Sequence, residues 1–250
     1  MGRYILWCVI GLAVCFAGCE KDEAYSPTTD DSVVSWTEYP TTIKGLSGLC
    51  LNASGDGLYA VSDGGSLYEL AFDGTVGSTL CQTKHDFEAV TLDPATGALY
   101  LTDEGENALY RFAGGQLSLV TKIDVPGGGV YNKGLEGVAW DGRYLYVANQ
   151  AEPTLILKYD PETDKVVDQI RIDFVTFLSD IAYDAVDHAL WILDSKGPNL
   201  YKCTLAGEVQ RTWSVAFVAK AEALALDRNR GCVWLGCDKT GRLYRVEINF

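Results

Sequence analysis

Apolar residues in this chain come in short consecutive runs, not at alternate or helical spacing. The clearest set is LYAVSD (58–63), LYLTD (99–103), LYVAN (145–149), LWILD (190–194) and VWLGCD (233–238). A strand reads this way when both of its faces are buried. Each run follows a second apolar run across a short turn, as in GLSGLCLNASGDGLYAVSD (45–63), FEAVTLDPATGALYLTDE (87–104) and GLEGVAWDGRYLYVAN (134–149). The same skeleton returns in FLSDIAYDAVDHALWILD (177–194) and AEALALDRNRGCVWLGCD (221–238).

Aligned on their first run, the five copies place Gly48, Ala89, Gly137, Asp180 and Ala223 in one column, with spacings of 41, 48, 43 and 43 residues. A period of roughly 40–50 residues built from several short strands is that of a propeller blade. In the second copy the strands are AVTL (89–92), ALYLTD (98–103), ALYRF (108–112) and a fourth around LSLV (117–120), separated by DPATG and EGEN turns. No helix is expected after residue 30. The last copy supplies three strands before Phe250, and VVSWTEYPTTI (33–43) reads as a strand ahead of the first copy. That segment is predicted to close the last blade, leaving few open edges. The fold class is therefore an all-β propeller of five four-stranded blades over 33–250. A sixth blade would have to come from 121–133, where DVPGGGVYN reads as a loop.

The start of the chain has its own pattern. Arg3 precedes an uncharged apolar run from Tyr4 to Gly18, too short for the ~20 residues that span a bilayer. A positive start, a short apolar core and small residues before a break describe a secretory signal over 1–18. The break, FAGC (16–19), resembles a bacterial lipobox. The resemblance implies cleavage before Cys19 and its acylation; the alternative is an uncleaved anchor. EKDE (20–23) resembles the surface-export signal of Bacteroidetes lipoproteins, and also reads simply as solvated linker. Residues 19–32 are expected to be a flexible tether, too polar to fold alone. The membrane is thus a partner through Cys19, and the protein is expected in the cell envelope, at the outer membrane, periplasmic or surface-exposed.

Charge narrows the partners. The net charge is −14, which disfavours nucleic acid and anionic lipid and suits cations. Of eight cysteines, Cys8 and Cys15 lie in the signal and Cys19 takes lipid, leaving Cys50, Cys81, Cys203, Cys232 and Cys237. Their pairing is not readable from spacing. Cys232 and Cys237 sit five apart on one predicted strand and face opposite sides. No C-x-x-C supports a zinc or redox motif.

Two acidic columns emerge from the repeat. Asp63, Asp103, Asn149, Asp194 and Asp238 end the second strand of each copy, where Asp and Asn bond the amides of the turn they open. Ser47, Glu88, Glu136, Ser179 and Glu222 begin the innermost strands, one residue before the small-residue column. Both columns open on one face. Three carboxylates converging on a channel must protonate, stay wet or bind a cation. Calcium takes ~6–8 oxygen ligands in irregular geometry. The candidate ligands are Glu88, Glu136, Glu222, Ser47, Ser179 and Asp180. The alternative is that each Glu accepts N–H bonds from the adjacent blade. Zn²⁺ fits less well, with no His or Cys in the column.

The elements LSGL (46–49), FEAV (87–90), NKGLEGVAW (132–140), LSDIAYD (178–184) and AEALALD (221–227) occur in order and resemble the SdiA-regulated propeller family, also called the YjiK/CarP family. The resemblance spans roughly Leu46 to Phe250. It implies an exported or membrane-associated propeller with links to calcium and phytase-like chemistry, and it singles out Glu88, Glu136 and Glu222. It transfers no catalytic set.

Two functions remain. The favoured one is a lipid-tethered, monomeric, calcium-binding interaction module whose loop face meets a protein or small-molecule ligand through Asp86, Tyr131, Asn132, Lys133, Asn149 and Gln150. The other is a calcium-dependent hydrolase of lactones, esters or phytate, with Asp86 or His85 as base. A Ser–His mechanism lacks support: His188 lies in a turn on the opposite face, and no G-x-S-x-G is present.

Overall fold

The computed structural model describes residues 32–127 and 133–250. Twenty strands form five separate four-stranded antiparallel sheets. Strand β1 (Ser35–Pro40) does not pair with its neighbours in sequence. Blade 1 contains β2 (Leu46–Leu51), β3 (Leu58–Ser62), β4 (Ser66–Leu70) and β5 (Val76–Gln82), and blade 2 contains β6 (Phe87–Asp93), β7 (Ala98–Asp103), β8 (Ala108–Ala113) and β9 (Gln116–Lys122). Blade 3 contains β10 (Leu135–Trp140), β11 (Leu145–Asn149), β12 (Leu155–Asp160) and β13 (Lys165–Arg171), and blade 4 contains β14 (Leu178–Asp184), β15 (Ala189–Asp194), β16 (Asn199–Cys203) and β17 (Val209–Ser214). Blade 5 takes β18 (Ala221–Asp227), β19 (Cys232–Cys237) and β20 (Arg242–Glu247), and β1 completes it.

The closure pairs Ser35 with Glu247 and Pro40 with Arg242, across nearly the whole chain. It is the five-bladed ring with an N-terminal closing strand that the repeat implies. The signal, Cys19 and most of the tether lie outside the described residues.

Hydrophobic clusters sit between blades, which explains the unbroken apolar runs. Trp191 and Trp213 of blade 4 stack at 4.8 Å and pack with Val233, Leu235 and Val246 of blade 5. Ile43, Leu46 and Leu58 of blade 1 pack with Trp234 and Leu243 of blade 5. Strands β7, β15 and β19 are buried at every position. The small-residue column is where inner strands meet most closely. A Cβ on Gly48 would lie 2.6 Å from the Ala89 Cα. The one helical element among the described residues is a single 3₁₀ turn, Arg228–Arg230. All five cysteines of the domain are free thiols.

Each inner strand carries the same irregularity. Pairing with the second strand skips one residue: Ser47 in blade 1, Glu88 in blade 2, Glu136 in blade 3, Ser179 in blade 4 and Glu222 in blade 5. A bulge of this kind leaves its extra residue unpaired and turns its side chain away from the ladder. The acidic column is a ring of bulges at the upper end of the channel.

Candidate functional site: an acidic channel mouth

The bulges surround a cavity of about 340 Å³ at the upper end of the channel. Blade 2 contributes Asp86, Glu88 and Glu104, blade 3 contributes Glu136 and Gln150, and blade 5 contributes Lys220, Glu222 and Asp238. Blade 1 adds Ser47 and Asp63; blade 4 adds Phe177, Ser195 and Lys196. Seven carboxylates thus face two ammonium groups.

The acids are concentrated on blades 2 and 3. One oxygen from each of Asp86, Glu88 and Glu104 lies within 4.8 Å of the others. Glu104 accepts a hydrogen bond from the Gly134 amide at 3.1 Å. Residue 134 must be glycine for this approach, because a Cβ there would lie 2.5 Å from Asn107 Oδ1. Glu136 accepts from the Gln150 side-chain amide at 2.6 Å, and the Gln150 backbone carbonyl accepts from the Leu178 amide at 3.2 Å. Glu88 is 8 % exposed, shares a side-chain hydrogen bond with Asp86, and pairs with no cation among the described residues. Buried carboxylates without counter-charge hold their protons. Burial, then the neighbouring Asp86 and Glu104, pushes Glu88 up to about 9. Burial, then Glu88 and Glu104, raises Glu136 well above the usual carboxylate range. Burial, then Glu104 and Asp103, raises Asp86.

The opposite wall is different. Lys220 Nζ bridges Glu222 Oε1 and Asp238 Oδ2, each at 2.7 Å. Burial raises Glu222 to about 7, against the lowering effect of Lys220. Beside this bridge, Lys196 Nζ lies 3.3 Å from the centre of the Phe177 ring. Asp194 fixes both: it accepts from the Thr176 and Phe177 amides on one side and from the Lys196 and Gly197 amides on the other.

The sequence-derived set divides. Glu88, Glu136, Glu222 and Ser47 share the cavity, with Asp86 and Gln150. Ser179 and Asp180 do not join them. Ser179 donates to the Phe177 carbonyl at 3.3 Å. Asp180 follows the bulge, so it sits in the tight small-residue column, and its two oxygens accept the Ile181 and Leu224 amides at 2.8 Å each. It is a strut between blades 4 and 5. Lys133 pairs with Glu152, and Asn149 is buried, donating to the Ala151 and Pro153 carbonyls. Tyr131 and Asn132 lie outside the described residues. His85 is not among the lining residues of the cavity: its Nδ1 lies 2.6 Å from Asp103 Oδ2 and its ring packs against Tyr110. His188 bonds Tyr183 at the far end of the channel.

The turn-forming column holds at Asp103 and Asp194, whose oxygens accept turn amides. Asp238 instead holds Lys220, and Asp63 lines the cavity. Sequence reasoning missed Glu104, Lys220, Lys196 and Phe177 as site residues. Lys220 carried a usable signal, lying two positions before the bulge of its blade.

Solved structures share the fold. The glutaminyl cyclase of Myxococcus xanthus superposes with a TM-score of 0.67 at 15 % identity, covering 88 % of this chain and 98 % of the cyclase. A gluconolactonase from Xanthomonas campestris superposes at 0.58 with 12 % identity, covering 86 % of this chain and 89 % of the lactonase. No curated protein sequence matches the chain. The model of the phytase-like family, described as the esterase-like activity of phytase, matches residues 41–177, more than half of the sequence, and the chain belongs to that family.

Proposed function

We propose that the chain is a calcium-dependent esterase whose cation is held by Asp86, Glu88, Glu104 and Glu136 at the channel mouth. The observation that carries this reading is the unmatched set of buried carboxylates raised on bulges from separate blades. The donor set fits a hard cation: carboxylate oxygens from two blades, with no nitrogen or sulfur ligand. When bound, calcium supplies a Lewis acid that polarises a carbonyl or phosphoryl oxygen.

The chain's own groups supply the rest. Glu222 sits on the opposite wall with a proton affinity near neutrality, the range suited to a general base toward water. Lys220 holds it in place through the 2.7 Å contact and keeps Asp238 from joining the cation ligands. The family's esterase-like description shifts the balance from interaction module to hydrolase. The module remains the second reading, favoured by a cavity lining that includes no imidazole.

In the same reading the protein joins the SdiA-regulated group, tethered as a monomer to the outer membrane through lipidated Cys19. FAGC and the ordered motifs from LSGL to AEALALD support this part.

The test is calorimetric titration of calcium into the chain lacking residues 1–18, beside Glu88→Gln/Glu136→Gln and Glu222→Gln, with turnover of a panel of esters and lactones. The reading expects binding lost in the double variant, and turnover lost with binding retained in Glu222→Gln. Binding without turnover in the wild type would favour the module. Absence of binding to the folded wild type would refute the cation site.

A further inference from the structure

The family description suggests a polyphosphorylated substrate, but the charges lining the cavity are wrong for one. Lys220 is already neutralised by Glu222 and Asp238. Lys196 is the one cavity-lining cation with no acidic partner among the described residues. It stands on blade 4, which packs directly against blade 3 of the acid wall. A ligand with several negative charges could place one of them on Lys196; the rest would face carboxylates. A single divalent cation offsets two of the seven. The volume, about 340 Å³, lies at the small end of ligand cavities. Lys196 Nζ lies over one face of Phe177, and the rest of that ring is the apolar part of an otherwise polar cavity lining.

We infer that the cavity selects small, singly charged esters, whose one anionic group pairs with Lys196 while an adjoining apolar group lies against Phe177. The inference rests on the channel-mouth reading for the position of the ester bond, and it assigns to Lys196 and Phe177 the choice of substrate. Asp194 is the positioning residue, since its carboxylate fixes the backbone of both.

The experiment measures binding of three probes that share one ring: benzamide with no charge, benzoate with one and benzene-1,3,5-tricarboxylate with three. Each is titrated at neutral pH in saturating calcium into the wild type, Lys196→Met, Lys196→Arg and Phe177→Ala. Calcium affinity and melting temperature are recorded for every variant. Benzoate is expected to bind most tightly, to weaken about tenfold in Lys196→Met, as loss of a partly desolvated charge-assisted bond implies, and to keep most of its affinity in Lys196→Arg. Phe177→Ala should weaken benzoate and benzamide alike. Calcium affinity should not change in any of them. Tricarboxylate binding as tightly as benzoate, or a folded Lys196→Met that binds benzoate like the wild type, would overturn the inference. If calcium fails to bind while the probe order and the Lys196 effect persist, the cation reading fails and the selectivity assignment stands.

Discussion

Replacing Glu88 by glutamine tests the electrostatics of the channel mouth without touching the rest of the ring. Glu88 is 8 % exposed, on a bulge, among acids. In the folded, calcium-free chain it titrates at about 9 against an ordinary value of 4.5. Between those two values the folded state holds a proton that the unfolded state has released. Stability therefore falls as pH rises through this window, by about 1.4 kcal/mol per pH unit for one such group. For a domain of this size each kcal/mol moves Tm by about 2–4 °C. In EDTA, the wild type should lose about 3–6 °C per pH unit between roughly pH 6 and 8 through this group. Glu88→Gln removes the titrating proton and one like-charged neighbour of Glu136, so its Tm profile should be flatter by about that slope. Differential scanning calorimetry of both proteins over that range reads the difference directly. Parallel profiles for a folded variant would refute the assignment of Glu88 as a buried, uncompensated acid.

Other parts of the molecule give three further expected outcomes. Calcium at about 100 times its Kd should stabilise the wild type by about 2.7 kcal/mol, read as a rise in Tm that Glu88→Gln/Glu136→Gln abolishes. Arg228→Met should cost about 3–5 kcal/mol in urea unfolding. Buried Asp184 then loses the guanidinium that matches it and retains only Trp191 Nε1 and turn amides; Asp184→Asn in the same background should recover part of the loss. Removing residues 1–40 strips β1 from β20 and opens a sheet edge, so the product should elute as oligomer or aggregate in size exclusion.

Much of this architecture was legible because the repeat repeats its physics. LWILD and VWLGCD are apolar throughout because β15 and β19 lie between blades, and the spacing of Gly48, Ala89, Gly137 and Ala223 marks where inner strands touch. Glu88, Glu136 and Glu222 were readable because a bulge recurs at one place in each copy. Asp180 was misassigned for a related reason. One residue beyond a bulge the chain is back in the ladder, so a carboxylate there meets backbone amides in place of the cavity. Phe177 and Lys196 were hidden because they belong to loops, and only the three-dimensional grip of Asp194 brings them together. Glu104 was visible as an acid but not as a cavity residue, since its placement depends on Gly134, far along the chain in the next blade.

The closing strand also sets an order of events. Ser35 and Glu247 are neighbours in β1 and β20, so the earliest of the described strands waits for the last of them. Blades 1 to 4 can form from contiguous sequence as synthesis proceeds, but the fifth cannot. Until the final strand is available, β19 lacks its outer partner, and the wall carrying Lys220 and Glu222 has no fixed position opposite blades 2 and 3. Contacts so distant in sequence slow the last step of folding. The channel mouth is thus assembled by the latch: a nascent or truncated chain carries most of its carboxylates but not the finished site.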